Sequence, residues 1–417
     1  MFKILKKSKI SKARLGIIKT AHGGIETPCF MPDATRGAVK HLSSSELIEL
    51  DLPCLVANTL HLFLRPGVKI VKQAGGLHNF MAWPGPILSD SGGYQVFSLI
   101  HKSPHQNWCG DGPKGRFDDT GAIFTSPLDG AKLKMTPELS IKTQFALGAD
   151  LMVCFDDCPP NDYNEEMLAI SVERTLKWAK KCKSEYEKNY KFSRSYVRDK
   201  QITNYKKYKR PLLFAVIQGG NNLKLREHCA QALVKIGFDG FGFGARHINE
   251  SGDFLAKALK ITAEQIPENK PRFGLGIGKP EDIIRSIKLG WDIFDCVIPT
   301  REGRHGRLFL FNRHAGAKRS EAIASRDSIG RSAPSRMTIK NNFYETINIA
   351  NAKFAKDFSP INPLSRLTEL RRHSKAYLHY LFKISEPLAL RLASLNNLEF
   401  YLKMISEVRA FIKHDKF

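Results

Sequence analysis

Apolar runs recur along the chain, and each of them stops at a short polar or glycine-rich element. Six such runs with their polar ends occupy residues 87–93, 153–157, 214–220, 241–244, 275–278 and 293–296. If each run is a buried strand, the ends bring four aspartates, one glutamine and several backbone amides to one edge of a single sheet. A parallel barrel builds its catalytic site in this way, from the carboxyl ends of several strands.

Helical patterns lie between these runs. Apolar residues at helical spacing predict helices over residues 137–147, 223–236, 254–266 and 280–289, and glycine follows three of them as a stop signal. Strand and helix therefore alternate, which predicts an α/β fold with a parallel sheet. The chain shows no sequence repeat, so the expectation of a barrel rests on this alternation and on the positions of the polar ends.

Three stretches have the composition of insertions. Residues 101–123 are rich in Gly and Pro and predict a long loop over the catalytic end. Residues 180–210 hold twelve Lys or Arg and three acids with five tyrosines between them, which suits either nucleic-acid contact or a solvated helix. Residues 313–338, rich in Ser, Ala and Arg, predict a flexible segment.

The pattern becomes helical from about residue 341, as in residues 376–381 and 400–411. We therefore divide the chain into two domains. Residues 1–340 form a catalytic barrel domain with N-terminal strands and the three insertions, and residues 341–417 form a C-terminal helical appendage that packs on it.

The chain carries a strong excess of positive charge. Its 417 residues contain 65 Lys and Arg against 41 Asp and Glu, a formal net charge of +24. Such an excess favours a polyanionic partner, most simply nucleic acid, because phosphate contacts dominate that kind of affinity. A generally basic proteome would produce the same excess.

The eight cysteines show no paired CxxC spacing. No secretory signal and no apolar span of about 20 residues is present. Residues 1–14 are basic and contain no acids, but their apolar patches predict opening strands rather than a targeting peptide. We therefore expect reduced thiols in a cytoplasmic protein without membrane contact.

Polar residues at the predicted strand ends are candidates for chemistry. Asp90 precedes Ser-Gly-Gly, which fits either a turn that a ligand approaches closely or a plain Asx turn. Asp156 and Asp157 are adjacent, and strand alternation allows only one of them to face the site. Asp295 has apolar neighbours and is either a structural acceptor or a nucleophile or acid in a dry site. Gln218 offers an amide that gives and accepts hydrogen bonds, as a nucleobase edge requires.

Two carboxylates beside an amide fit a glycosyl-transfer site. One carboxylate attacks the anomeric carbon, and the other moves the proton of the leaving group. Residues 299–307, just after Asp295, supply three arginines. These cations would hold the phosphodiesters on either side of the attacked sugar.

The same elements resemble the motifs of the bacterial tRNA-guanine transglycosylase family, also called queuine tRNA-ribosyltransferases. The matching segments are residues 58–62, 65–67, 90–99, 155–158, 276–280 and 294–301. The likeness runs to about residue 310 and, more weakly, to the C-terminus. It implies a TIM (β/α)8 barrel that replaces guanine at the wobble position of certain tRNAs with a 7-deazaguanine, in the queuosine pathway. It implies no cofactor, because one base leaves and another enters the same pocket.

The resemblance implies catalytic roles for two aspartates. Asp295 corresponds to the family nucleophile, which attacks C1′ of the ribose, expels guanine and holds the tRNA as a covalent glycosyl ester. Asp90 corresponds to the general acid and base that protonates the leaving base and deprotonates the incoming one.

The resemblance also implies substrate-binding residues. Those expected at the base are Asp156, Gln218, Gly244, Tyr94, Leu275 and Gly276. By the resemblance, Asp156 binds N1 and the exocyclic amine of the purine. Gln218 and the Gly244 amide bind its carbonyl oxygen, and Tyr94 stacks on its ring. Those expected at the backbone of the anticodon loop are Lys40, Lys279, Arg301 and Arg304.

Two departures from the family pattern matter. Where the family has a Cys-x-Cys-x-x-Cys motif and a later His that bind zinc, this chain has Ser365, Leu367, Leu370 and Asn396. A thiolate zinc site therefore cannot form, and we expect no metal and apolar contacts of the two leucines in its place. The second departure is the loop 244–249, where the family has Gly-Gly-Leu-Ala, and this leaves open which 7-deazaguanine is used.

Three functions are compatible with the sequence. The first is an active base-exchange enzyme, because Asp90, Asp156 and Asp295 are all present. The second is a catalytically silent tRNA-binding paralogue or partner subunit, suggested by the lost zinc ligands. The third is a related transglycosylase that acts on another nucleic acid such as DNA. The sequence also leaves open whether two copies of the chain pair as a homodimer.

Overall fold

The chain folds into alternating strands and helices. The computed structural model describes residues 2–101, 115–159, 163–199, 210–312 and 343–417. Its strands are β1 (Phe2–Lys7), β2 (Arg14–Thr20), β3 (Gly23–Thr27), β4 (Cys29–Pro32), β5 (Leu55–Asn58), β6 (Ile87–Asp90), β7 (Gly115–Asp118), β8 (Gly121–Thr125), β9 (Lys132–Met135), β10 (Leu151–Val153), β11 (Leu212–Ile217), β12 (Gly240–Phe243), β13 (Arg272–Gly274), β14 (Ile293–Cys296), β15 (Arg307–Phe311) and β16 (Tyr344–Asn348). Its helices are α1 (Ser44–Glu49), α2 (Thr59–Leu64), α3 (Val68–Gln73), α4 (Leu77–Met81), α5 (Gly93–His101), α6 (Pro137–Leu147), α7 (Glu165–Asp199), α8 (Leu223–Ile236), α9 (Ala256–Gln265), α10 (Pro280–Lys288), α11 (Ile298–Arg304), α12 (Thr368–Arg372), α13 (Lys375–Lys383) and α14 (Pro387–Lys413).

Eight parallel strands form a barrel. They follow the order β4-β14-β13-β12-β11-β10-β6-β5. A parallel bridge between Asp33 and Val56 joins the two outer strands and closes the ring. Helices connect successive barrel strands and pack against their outward side chains. This architecture confirms the predicted TIM (β/α)8 barrel.

Alternate side chains of the barrel strands fill its interior, as strand geometry requires. The interior side chains include Cys29, Met31, Val56, Leu88, Val153, Val216, Phe273 and Ile293. The intervening residues, such as Phe30, Ala57 and Phe294, face the surrounding helices. This alternation decides which residues beyond the strand ends face the mouth of the barrel.

Five of the six predicted apolar runs overlap a strand of this barrel, and the sixth, 275–278, lies just after β13, which ends at Gly274. Helices α6 and α8 begin and end at the predicted residues, while α9 starts at Ala256, two residues later than predicted. The two barrel strands that the pattern did not reveal are β4 and β5. Each has only four residues and all four are buried, so neither shows the alternation by which a strand is recognised.

A small antiparallel sheet of β1, β2 and β3 covers the amino-terminal end of the barrel. Arg14 of β2 donates hydrogen bonds of 2.9 and 2.6 Å to both oxygens of the buried Asp292. The predicted opening strands therefore close the end of the barrel that lies opposite the strand ends with the candidate residues.

The structure describes parts of two of the three predicted insertions. In 101–123, residues 102–114 lie outside the described part, but residues 115–123 belong to β7 and β8 of an antiparallel sheet with β9, so this part is not a loop. In 180–210, α7 continues to Asp199, and Cys182 and Tyr186 are buried core residues. Residues 200–209 and the third insertion, 313–338, lie outside the described residues.

The C-terminal helices pack on the barrel through α14. Asn397 donates hydrogen bonds of 2.9 Å to the carbonyls of Pro299 and Arg307, and Tyr401 donates one of 2.6 Å to the carbonyl of Gly278. Strand β16 pairs with β15 across the proposed boundary at residue 340. The division into two domains stays a prediction.

Within the described residues, no helix is both long enough and apolar enough to cross a membrane. The cysteines of these residues are buried and none forms a disulfide.

Candidate active site

Polar side chains ring the carboxyl end of the barrel. Asn58, Asp90 and Asp295 each follow an interior side chain by two residues, so they face the mouth of the barrel. The parallel register pairs Asn58 with Asp90. The sequence had singled out the two carboxylates for chemistry, and the structure brings them to one opening.

Asp90 is held by three donors. The side-chain amide of Asn58 donates to Oδ2 at 2.7 Å, and the backbone N–H groups of Thr59 and Gly92 donate to Oδ1 at 3.2 and 3.1 Å. Burial raises the pKa of Asp90 to about 7, the charge of Asp295 adds to this rise, and the two backbone N–H groups oppose it. A carboxyl group with this pKa exchanges a proton readily near neutral pH.

Asp295 accepts a hydrogen bond of 2.9 Å from the Gly276 N–H at Oδ1. Gly276 adopts a φ of +67°, which a residue with a side chain rarely adopts, and this conformation turns its N–H toward the carboxylate. Burial raises the pKa of Asp295 to about 6, which is below that of Asp90. Both carboxyl groups therefore titrate much closer to neutral pH than a free aspartate does.

Asp156 faces the site, and Asp157 faces away from it. Gln218 Nε2 donates to Asp156 Oδ2 at 2.7 Å, and Ser91 Oγ donates to Oδ1 at 3.3 Å. Burial raises the pKa of Asp156 to about 6. Asp157 instead forms an ion pair of 2.5 Å with Arg174 on α7. The alternation argument had predicted that only one of the pair would be available.

Gln218 keeps one hydrogen-bonding position open. Its buried Oε1 has no partner among the described residues, although Nε2 is engaged with Asp156. A Cβ at Gly244 would lie 2.4 Å from the Gln218 amide, so only glycine fits at that position. The Gly244 N–H, expected to face the base, donates to the Ile217 carbonyl at 2.9 Å. Gly244 thus makes room for Gln218, and its amide is already in use.

Arg226 supports these loops, and no motif pointed to it. This fully buried side chain on α8 donates to three backbone carbonyls, of Gly220 at 2.6 Å, Gly244 at 3.0 Å and Ile217 at 3.4 Å. Its guanidinium lies 3.9 Å from the ring centroid of Phe243. Within the described residues it has no acidic partner, and burial lowers its pKa to about 9. Hydrogen bonds from this one side chain therefore connect the loops that follow β11 and β12.

Tyr94 and Leu275 border the opening. Tyr94 lies in the first turn of α5, with about half of its side chain exposed at 49%. Leu275 packs against the interior cluster of the barrel at the end of β13. An exposed ring and an apolar side chain at a barrel mouth are suited to the two faces of a flat base.

The basic residues expected at the tRNA backbone lie near the strand ends. Lys40, Lys279 and Arg301 are exposed, and Arg304 is partly buried. Arg301 pairs with Glu302 at 3.4 Å. Burial lowers the pKa of Arg304, and Asp33 acts in the opposite direction. Three of the four cations are thus freely accessible to a polyanion.

The loop 244–249 is anchored to α10. His247 Nε2 lies 3.3 Å from Oδ2 of Asp282, and its ring meets Phe254 edge to face. Asn249 and Asp253 are joined by backbone and side-chain hydrogen bonds. The segment that departs from the family pattern is therefore a structured turn at the rim of the site.

A hydrogen-bond network occupies the place of the family's zinc site. The Ser365 hydroxyl and the Arg366 N–H donate to the two oxygens of Glu399 at 2.5 and 2.6 Å. Asn396 donates to the Phe309 carbonyl at 3.0 Å. Leu367 and Leu370 are buried as predicted. With one carboxylate and neither thiol nor imidazole, these residues do not fit zinc, and polar contacts of Glu399 supplement the expected apolar packing.

The described residues contain one other cluster of metal-ligand type, at the opposite end of the barrel. It consists of His22, His78 and Asp150. The Asp150 carboxylate already interacts with both imidazoles, at 2.9 and 3.1 Å, and accepts from the Ile87 N–H at 3.0 Å. These contacts join the β2–β3 turn to α4 and the barrel, which is a structural role.

Comparisons with known proteins agree with this geometry. A model of the family described as queuine tRNA-ribosyltransferase matches residues 8–417. The chain is similar to the queuine tRNA-ribosyltransferase of Halothermothrix orenii, with 36% identity over 414 residues, 99% of this chain and 94% of that protein. It is also 36% identical to the enzymes of the same name from Lysinibacillus sphaericus, covering 100% of this chain and 92% of the relative, and Methylacidiphilum infernorum, covering 99% and 95%.

Proposed function

The chain belongs to the queuine tRNA-ribosyltransferase family, and we propose that it exchanges guanine at the wobble position of tRNA for a 7-deazaguanine through a covalent intermediate on Asp295. One observation carries the proposal. Two buried aspartates share the barrel mouth, and burial raises the pKa values of both, to about 7 for Asp90 and about 6 for Asp295. Two carboxyl groups that face one opening are suited to act as a proton donor and a nucleophile on the same bond.

In the first half of the reaction, an oxygen of ionised Asp295 forms a bond to C1′ of the ribose. The bond from C1′ to the base breaks, and the electron pair leaves with guanine, which receives a proton from Asp90. The products are a glycosyl ester of Asp295, free guanine and ionised Asp90. In the second half, Asp90 removes a proton from the incoming base, whose nitrogen attacks C1′ and releases Asp295.

The pair of Asp156 and Gln218 is suited to binding the base. A carboxylate accepts from the N1–H and exocyclic amine of a guanine-like edge, and the open Oε1 of Gln218 can accept a further hydrogen bond. Tyr94 and Leu275 would supply the contacts with the flat faces. Both bases use this pocket in turn, so the exchange needs no cofactor.

Lys40, Lys279, Arg301 and Arg304 would bind the phosphates of the anticodon loop. Their position around the mouth supports a nucleotide that is turned out of its loop and into the barrel. The loop 244–249 lies at the rim, where it would face the 7-substituent of the base.

The proposal is tested by incubating the protein with tRNA that carries guanine at the wobble position and with candidate 7-deazaguanines. Mass spectrometry of the nucleosides should detect the new base, and a denaturing gel should show a protein–tRNA adduct. Asp295→Asn should bind tRNA but give neither product, because an amide cannot form the ester. Asp129→Asn, in an exposed turn, is the control. Exchange by Asp295→Asn at the wild-type rate, or exchange on duplex DNA alone, would contradict the proposal.

A further inference from the structure

Asp33 is a third carboxylate at the barrel mouth, and no motif pointed to it. It follows β4 and forms the bridge to Val56 that closes the barrel. The Ala34 N–H donates to the Val56 carbonyl at 2.7 Å, and the Asn58 N–H donates to the Thr35 carbonyl at 3.2 Å. Backbone hydrogen bonds on both sides therefore fix the position of Asp33.

The side chain of Asp33 faces the interior. Met31 is an interior residue, and Asp33 follows it by two positions, about 7 Å along the strand. The register between β4 and β14 pairs Met31 with Asp295. Asp33 thus lies on the strand next to the nucleophile, on the same face of the sheet and one layer closer to the opening.

The surroundings of Asp33 do not explain its presence as a structural residue. The Thr35 hydroxyl donates to its Oδ1 and fixes the side chain. No ion pair reaches this carboxylate from any residue that the structure describes. Burial raises its pKa, and its charge in turn raises the pKa values of Asp90 and Asp295. The hydrogen bonds from Thr35 and the charges of His61 and Lys40 only partly offset this burial, so a further donor from a ligand would stabilise the carboxylate.

The order of strands around the mouth shows which part of the substrate Asp33 would meet. Proceeding from β11 to β14 through β10, β6, β5 and β4, the mouth-facing residues are Gln218, Asp156, Asp90, Asn58, Asp33 and Asp295. Gln218 and Asp156 lie at the base end of this arc, and the nucleophile lies at the sugar end. Asp33 is the neighbour of the nucleophile, so it faces the ribose.

We propose that Asp33 accepts a hydrogen bond from the 2′-hydroxyl of the ribose that Asp295 attacks, and thereby favours RNA over DNA. The inference rests on the proposed function. A carboxylate needs a donor, and in an RNA chain the 3′ and 5′ oxygens are esterified, which leaves the 2′-hydroxyl as the only donor of the ribose. This hydroxyl is on the carbon next to C1′. Its hydrogen bond strengthens as C1′ gains positive charge in the transition state.

The test is a cycle of two enzymes and two substrates. Adduct formation is measured in a single turnover for wild type and Asp33→Ala, each with tRNA that carries either guanosine or 2′-deoxyguanosine at the target position. Each single change should slow the reaction about ten- to a hundredfold, because a hydrogen bond to a charged group is lost. With both changes together, little further loss is expected.

The inference would be overturned if the two rate losses multiply when Asp33→Ala acts on the 2′-deoxyguanosine tRNA. A purely structural role of Asp33 would slow the reaction of both substrates by the same factor. Wild-type rates for Asp33→Ala on ribose tRNA would overturn it too. If the alanine variant does not fold, Asp33→Asn can replace it, because asparagine keeps the size of the side chain. The same cycle should then give a smaller coupling between the enzyme change and the substrate change. Failure of wild type to form any adduct with the ribose tRNA would instead count against the proposed function.

Discussion

The side-chain amide of Asn58 donates a hydrogen bond of 2.7 Å to Oδ2 of Asp90. With the N–H groups of Thr59 and Gly92 on Oδ1, this contact fixes the orientation of the carboxyl group. Burial nevertheless keeps the pKa of Asp90 near 7. The group is therefore held in place and still able to carry a proton at neutral pH.

Removing this carboxyl group should slow the departure of guanine. We expect Asp90→Ala to lower the rate of adduct formation by about two to four powers of ten, the usual contribution of a general acid. The rate is measured by quenched single turnovers on a denaturing gel. Asn58→Ala leaves the carboxyl group and removes one contact, so its loss should be smaller. An unchanged rate in Asp90→Ala would assign the proton transfer to another group.

The pH dependence of adduct formation should be bell-shaped. The rate should rise with pH through about 6 as Asp295 ionises, and fall above about 7 as Asp90 loses its proton. The measurement is the single-turnover rate at saturating enzyme between pH 5 and 9, after a check that the fold is intact at both limits. The residual rate of Asp90→Ala should lack the fall on the alkaline side. A fall that persists in this variant would contradict the assignment.

Loss of Arg226 should destabilise the protein and impair base binding. Arg226→Met removes the guanidinium donor from the carbonyls of Gly220 and Gly244 and one of two donors from that of Ile217, which should lower the free energy of unfolding by about 3 kcal/mol. Urea denaturation measures this change, and the KM for the free base should rise. Lys224→Met changes an exposed position on the same helix and is the matched control. Its free energy of unfolding should change by about 0.5 kcal/mol or less. Equal stability of the two variants would refute the role.

The C-terminal segment should be independent of zinc. We expect no stoichiometric zinc by atomic emission, and no change in Tm or exchange activity with a strong chelator. Glu399→Ala should lower stability by about 1–3 kcal/mol, because the buried hydroxyl of Ser365 and the N–H of Arg366 lose their acceptor. One equivalent of tightly held zinc, with melting lowered on its removal, would show this interpretation to be wrong.

Binding of tRNA should weaken with salt in proportion to the number of phosphate contacts. Single alanine variants of Lys40, Lys279, Arg301 and Arg304 should each reduce the slope of log K against log salt by about 1 at most. Filter binding at several salt concentrations gives the slopes, and Lys224→Ala serves as a surface control. The same slope in all five proteins would place the phosphates elsewhere.

The sequence predicted those features whose cause is local. Apolar runs located five barrel strands, and glycine stop signals set the ends of α6 and α8. The alternation rule separated Asp156 from Asp157, which pairs with Arg174. An argument from local composition was misleading for residues 180–210. Their high charge suggested a surface segment, but Tyr186 packs in the core. Composition describes the average of a segment, whereas burial is decided for each side chain.

Other features depend on contacts between distant parts of the chain. Strands β4 and β5 carry no pattern of their own, and only closure of the barrel brings Asp33 and Asn58 to its mouth. Glu399 meets Ser365 across 34 positions, and Asn397 meets Arg307 across 90. The sequence by itself determined which residue types end the strands and hence the kind of chemistry. The tertiary structure decided their neighbours, their burial and therefore their pKa values, because desolvation and long-range hydrogen bonds exist only once the barrel has closed.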